Sequence, residues 1–235
     1  MPDYLKRAVE APREAVWLAL KAGEAPRIVS VGGEKPTEAA AFALPPIYPE
    51  WLGDRAFLAA HGARFPYVVG EMARGIATPR MVIEAVRAGR LGFYGSAGLP
   101  LDEIRRGIGE IRSALSADQI AWGANLIHSP QEPGQEAAVV DLFLKEGVRR
   151  VSASAFMRLT PDVVRYTELG LERGADGSIT RRNHVFAKVS RAEVAEPFMS
   201  PAPEKMLRDL VAAGKISEAQ AVLASKVSVA AEITA

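Results

Sequence analysis

The sequence predicts an α/β protein built on a parallel sheet, and three observations predict it. Short apolar runs begin at residues 67, 91, 121, 151 and 185, a recurrence of 24 to 34 residues. Each run passes into a polar or glycine-containing loop and then into helical text. Strand, loop and helix at that period form the βα unit of a parallel sheet. A (β/α)8 barrel of about 250 residues spends roughly 31 on each unit, which agrees with the recurrence. An open doubly wound sheet of five strands fits the same text.

In chain order, residues 1–65 read as an N-terminal extension or cap. Leu5, Val9, Val16, Leu18, Ala19 and Leu20 predict one helix from residue 1 to about 23. Ile28 to Val31 is a short strand stopped by Gly32-Gly33, and three prolines in Leu44-Pro45-Pro46-Ile47-Tyr48-Pro49 exclude regular structure. Residues 66–199 hold five βα units. Tyr67-Val68-Val69 opens them; Thr78-Pro79 then starts a helix that buries Met81, Val82, Ala85 and Val86 and stops at Gly89. Leu91 to Tyr94 precedes a helix opened by Pro100 and the acids Asp102 and Glu103. Ala121 to Leu126 precedes a helix with Val139, Val140, Phe143 and Leu144 that ends at Gly147. Val151 to Ser154 precedes Thr160-Pro161-Asp162, and Val185 to Val189 is the fifth strand. Residues 200–226 are helical text, and 227–235 begin a sixth strand.

The 235 residues are 49% hydrophobic and 24% charged, an ordinary globular composition that excludes a disordered, collagenous or coiled-coil chain. Twenty-nine basic against 28 acidic residues leave a net charge of +1, so neither nucleic acid nor anionic lipid is an expected partner. With no cysteine, a disulfide framework, a thiolate metal site and a cysteine nucleophile are excluded, and three scattered histidines make no metal site. No run approaches the roughly 20 apolar residues of a membrane span, and Met1-Pro2-Asp3-Tyr4 is no secretory leader; the expected location is cytoplasmic.

Ligands of both architectures sit at the carboxyl ends of the strands. There the sequence places Gly70-Glu71-Met72-Ala73, Gly95 and Gly98, Asn125, Ser152 with Ser154 on one strand face, and Lys188. That set suits a flat, polar-edged ligand approached closely by backbone. Each residue has a plainer role. Gly95 and Gly98 close a tight turn; Asn125 caps its own loop; Glu71 caps a helix or pairs with a base. Lys188 lies in an apolar run and needs solvent, a partner or a ligand, and ligand contact is favoured. His128 reads as a surface loop histidine rather than an acid or base. No G-x-G-x-x-G, P-loop, G-x-S-x-G or H-E-x-x-H is present.

Six blocks carry a resemblance: Leu44 to Asp54, Gly70-Glu71-Met72-Ala73-Arg74-Gly75-Ile76-Ala77, Gly92 to Leu99, Asn125-Leu126-Ile127-His128-Ser129-Pro130, Val151 to Ala155, and Ala187 to Arg191 followed by Ser200 to Lys205. In order and spacing they resemble the PfaD family, flavin-dependent enoyl reductases of polyunsaturated fatty acid and trans-acyltransferase polyketide synthases, a branch of the nitronate monooxygenase (2-nitropropane dioxygenase) superfamily. The resemblance implies a partial (β/α)8 TIM barrel with about five to six βα units, an N-terminal extension and a helical insertion after strand five. It implies FMN as cofactor and NADPH as reductant, with hydride delivered to an enoyl thioester on an acyl carrier protein. The Gly70, Glu71, Met72 and Ala73 backbone would pass under the flavin. Asn125 would hydrogen-bond it, Ser152 and Ser154 would line the same cavity, and Lys188 would approach its polar edge.

Two departures qualify the resemblance. Relatives carry alanine where Glu71 stands, and a carboxylate there disfavours an anionic reduced ring. Relatives also continue past Ala235 into the histidine expected to donate the proton and into loops that hold the FMN phosphate, so the isolated chain is expected to bind FMN poorly. Two alternatives are nitronate monooxygenase activity on the same scaffold and a non-catalytic half-barrel assembly module of a synthase complex. In the latter, a homodimer would cover the open sheet edge.

Overall fold

The computed structural model describes residues 3–37, 41–132 and 134–234, which fall into two compact units. The first, residues 1–59 with 64–66, is built on a three-stranded antiparallel sheet. Helix α1 (Asp3–Glu10) stops before Pro12, and β1 (Val16–Ala19) pairs on one side with β2 (Arg27–Val31) and on the other with β3 (Ala41–Leu44). This corrects the single helix expected from residue 1 to 23, of which residues 1 and 2 lie outside the described chain. Val16, Trp17 and Leu18 form a continuous β-favouring run, and two flanking strands supply hydrogen bonds that a helix would have to forgo. The proline-rich segment is irregular apart from a 3-10 turn at Pro49–Trp51, where proline is tolerated at the first position.

The second unit holds residues 60–63 and 67–235. The last two residues of α2 (Arg55–His61), Ala60 and His61, belong to it. Strands β4 (Val68–Val69), β5 (Leu91–Tyr94), β6 (Trp122–Ile127) and β7 (Arg150–Ser154) follow, separated by α3 (Pro79–Arg87), α4 (Leu101–Ala114) and α5 (Gln135–Glu146). After α6 (Pro161–Glu168) comes a small hairpin, β8 (Leu171–Arg173) and β9 (Ile179–Arg181), then β10 (His184–Lys188). Three helices, α7 (Ala192–Phe198), α8 (Glu204–Ala212) and α9 (Glu218–Ala224), lead to β11 (Glu232–Thr234). The caps follow the sequence. Thr78 and Thr160 accept the backbone N–H of Met81 and Val163, and Ser217 forms a capping box with Gln220. In α3 the buried side chains are Val82, Ile83, Ala85 and Val86, with Met81 only half-buried.

Strands β4, β5, β6, β7, β10 and β11 form one parallel sheet in that order. The order never reverses, so the sheet has no switch point of the doubly wound kind. With right-handed connections, all helices then fall on one face. That face buries Ala124 and Leu126, Val151 and Ala153, Val185 and Ala187 in the helix-packed core. On the other face Phe93 of β5 meets Phe186 of β10, ring centroids 5.1 Å apart. Three strand spacings separate these strands, about 14 Å in a flat sheet. The sheet is therefore curled into a partial (β/α)8 barrel, and Phe93 crosses its interior over Gly123, where any Cβ would lie 2.5 Å from the ring.

A polar cluster fills the amino-terminal end of this interior. Buried Arg150 donates to the carbonyls of Ile120 and Ala60 and, through Nε, to Nδ1 of His61. Because Nδ1 accepts, His61 carries its proton on Nε2, 3.1 Å from Glu232. Burial, reinforced by Arg150, lowers His61 to about 4 and the adjacent His184 to about 3. On the helical side, Glu168 is fully buried with neither carboxylate oxygen hydrogen-bonded among the described residues; burial, opposed by Arg181, raises it to about 7. Among the described residues no helix is long and apolar enough to cross a membrane, and no His, Cys, Asp and Glu cluster could hold a metal ion.

These shifts predict opposite pH limbs. The histidines are neutral in the fold but take up protons below 6.5 when unfolded, so the stability they contribute is complete above that pH and is lost as pH falls toward about 4 for His61 and about 3 for His184. Folded Glu168 keeps its proton where the unfolded carboxyl, at 4.5, has lost it, so stability falls as pH rises from 4.5 through 7. Glu168→Gln should flatten that second limb, by up to about 3 kcal/mol at pH 8, in denaturant titrations run from pH 5 to 8. Arg150→Ala should cost about 3 kcal/mol at pH 8, because it removes the three hydrogen bonds made by a buried side chain.

Candidate functional site

Curling the sheet brings the carboxyl ends of its strands together. The loop after β4 is fastened to the end of β5 by backbone hydrogen bonds: Arg74 N–H to Ala97 O and Gly75 N–H to Gly95 O, each 2.8 Å, and Gly95 N–H to Ala77 O, 2.9 Å. The approach is so close that a Cβ on Gly95 would lie 1.8 Å from the Met72 carbonyl oxygen. Gly95 is therefore required for close packing, beyond merely closing a turn.

The next strand is locked to its neighbours on both sides. Buried Ser96 donates its hydroxyl to Asn125 O (2.8 Å) and accepts Asn125 N–H (3.0 Å). The Asn125 side-chain amide donates across to β7, to Ser152 O at 3.0 Å and to Ser154 Oγ at 2.9 Å. This corrects the loop-capping alternative: Asn125 spans strands. With both amide hydrogens used, its Oδ1 is left, among the described residues, without a donor.

Lys188 stands at the end of β10, half-exposed, with Nζ 3.4 Å from Oε1 of Glu71, whose side chain is only 6% exposed. The two groups come from strands four spacings apart, about 19 Å in a flat sheet. Glu71 is thus ion-paired rather than a helix cap, and Lys188 reaches both solvent and a partner. Glu71, Ala73, Asn125, Ser154 and Lys188 line one open cavity of about 460 Å3, together with Ile127, Ala155, Val189 and Ser190. Of the other residues singled out from sequence, Ser152 lies beneath Asn125, buried. Gly70 and Met72 are exposed in the loop and do not line the cavity.

His128 is not a surface residue. Its side chain is 17% exposed, its Nδ1 lies 2.7 Å from Oε2 of Glu136, and its ring packs 5.3 Å from Phe156. The other Glu136 oxygen accepts the hydroxyl of Thr160, so β6, α5 and α6 are tied together at their site ends. Sequence reading missed this network because its three members belong to different elements that only the fold brings together. It also missed Ala155, one of two non-glycine residues with positive φ among those described; Arg74 is the other.

No protein-family model matches the chain. A component of the polyunsaturated fatty acid synthase of Thraustochytrium sp. is 48% identical over 182 residues, 77% of this chain and 12% of the relative. Polyketide biosynthesis protein PksE of Bacillus subtilis is 40% identical over 184 residues, 78% of this chain and 24% of the relative. Among solved structures, the enoyl reductase domain of MlnA, from the macrolactin biosynthesis cluster of Bacillus amyloliquefaciens, superposes with a TM-score of 0.75 at 34% identity. That match covers 77% of this chain and 41% of MlnA's.

These matches bear out the resemblance to the PfaD-type enoyl reductase family. The chain spans between about a tenth and a quarter of the length of the curated relatives it matches. The role of a family member's barrel face therefore rests, for this chain, on the residues just described.

Gly95→Ala should cost about 3 kcal/mol in chemical denaturation, because backbone rather than a yielding side chain occupies the added methyl's place. Gly98→Ala should cost less than Gly95→Ala, since the atom nearest its added methyl is an arginine methylene 3.5 Å away and the penalty is backbone strain at φ 76°.

Proposed function

We propose that the chain supplies the ring-binding half of an FMN site in an enoyl reductase that uses NADPH to reduce enoyl thioesters on acyl carrier proteins of polyketide or polyunsaturated fatty acid synthases. The observation that carries this reading is the convergence of Glu71, Ala73, Asn125, Ser154 and Lys188, from four different strand ends, on one cavity. The match to the enoyl reductase domain of MlnA supports it.

The donor set fits the ring's polar edge. Asn125 Oδ1 offers an acceptor whose position is fixed by its two amide bonds, Lys188 offers a cation, and the volume lies within the usual range of ligand clefts. Among the described residues lining this cavity no arginine or glycine nest is present to hold a phosphate, so the residues here fit the ring better than the whole nucleotide. FMN, when bound, would supply the hydride relay that no side chain can perform. The chain's own residues orient and tune. Asn125 is held by Ser96 and β7 so that it needs no reorganisation, and Lys188 provides positive charge where reduction would add negative charge. Glu71 restrains that ammonium and offsets part of its field.

Titrating the chain with FMN and with lumiflavin, which lacks the phosphate, tests this by absorbance and fluorescence. Lumiflavin should bind nearly as tightly as FMN, and Asn125→Ala should weaken both by about tenfold through the lost acceptor. Flavin binding indifferent to Asn125→Ala and to Lys188→Ala would overturn the assignment.

A further inference from the structure

A second chamber of about 370 Å3 opens beside the first and shares Ala73, Asn125 and Ile127 with it. We propose that this chamber receives a neutral, amide-bearing thioester arm of the kind that carries acyl groups on carrier proteins, and that it excludes the dinucleotide reductant. The proposal rests on the flavin reading of the neighbouring cavity and assigns the two reactants to different approaches.

Three features of the wall carry it. First, Gln131 and Gln135 offer paired donor and acceptor groups above an apolar floor of Ile104 and Val139, the pattern that suits an extended chain of amides and methylenes. Second, the fixed charge is wrong for phosphates. Glu132 and Glu136 face one guanidinium, Arg74, leaving a formal excess of one negative charge. Glu136 cannot swing away, because His128 holds one of its oxygens at 2.7 Å and Thr160 the other. A pyrophosphate placed there would meet repulsion in a partly enclosed site, whereas an uncharged arm would not. Third, backbone strain sits at both chambers. Among the described residues the two non-glycine residues with positive φ are Arg74 at 56° and Ala155 at 60°, one in each wall. Arg74 is held in that conformation by its N–H bond to Ala97. The junction at Asn125 puts an arm in the second chamber within reach of a ring in the first.

Saturation-transfer NMR of S-crotonyl-pantetheine and of NADPH, each with the full chain, tests the assignment, with lumiflavin titrated into the same samples. Gln135→Trp fills the chamber from an accessible position at the start of α5, and its circular dichroism shows whether it stays folded. Should it unfold, Ser129→Phe takes its place. The expected result is that S-crotonyl-pantetheine binds and is weakened at least tenfold by the filling variant. NADPH should give no signal that the variant removes, and lumiflavin affinity should stay within twofold. Arm binding that the filling variants leave unchanged, no arm binding while lumiflavin binds, or an NADPH signal that the variant abolishes would overturn the inference. Arm binding lost in the variant with no lumiflavin binding would support the chamber and contradict the flavin reading instead.

Discussion

The contact of Phe93 with Phe186 through the space left by Gly123 is the constraint on which the barrel unit depends. Parallel strands joined by helices on one face give a sheet whose other face is bare. Burying two aromatic rings from strands three positions apart curls that sheet and fills its interior in one step. The curl, in turn, is what lets Glu71 and Lys188 pair, since their strands would otherwise hold them well beyond reach. Packing at the middle of the barrel and electrostatics at its mouth are therefore one structural fact seen at two levels.

Along each strand the inward row changes character from one end to the other. On β7 it runs Arg150, Ser152, Ser154, and on β10 it runs His184, Phe186, Lys188. At the amino-terminal end the polar groups satisfy one another: Arg150 saturates two carbonyls and a histidine, and the imidazoles stay uncharged. At the carboxyl end, groups are fixed yet incompletely satisfied. Asn125 uses its amide hydrogens on β7 and keeps an acceptor, and Lys188 is paired but half-exposed. A satisfied end and an unsatisfied end on the same strands are what separates a stabilising layer from a binding one.

Much of this was legible in the sequence. The βα period located β5, β6, β7 and β10 to within a residue or two, because buried parallel strands are short, apolar and punctuated by turn residues. The strand ends yielded Asn125, Ser154 and Lys188 by alternation alone. What was lost has physical reasons. Val16 to Ala19 satisfies a helical or an extended pattern, and tertiary pairing with β2 and β3 decided it. The β8–β9 hairpin has a turn signal in Asp176-Gly177, but strands of three residues each are too short to show an alternating pattern. Neither the Glu71–Lys188 pair nor the His128–Glu136–Thr160 network has any sequence signature, since each joins residues that only the fold brings together.

The family's barrel face thus reads, in this chain, as a rigid cradle with a small number of open valences. The most direct test is a crystal structure of the chain soaked with FMN or lumiflavin. The account predicts isoalloxazine density at the ends of β6, β7 and β10, with Asn125 Oδ1 in contact with its polar edge and Lys188 drawn toward it from Glu71. Ring density seated elsewhere on the chain, with the Glu71–Lys188 pair undisturbed, would contradict it.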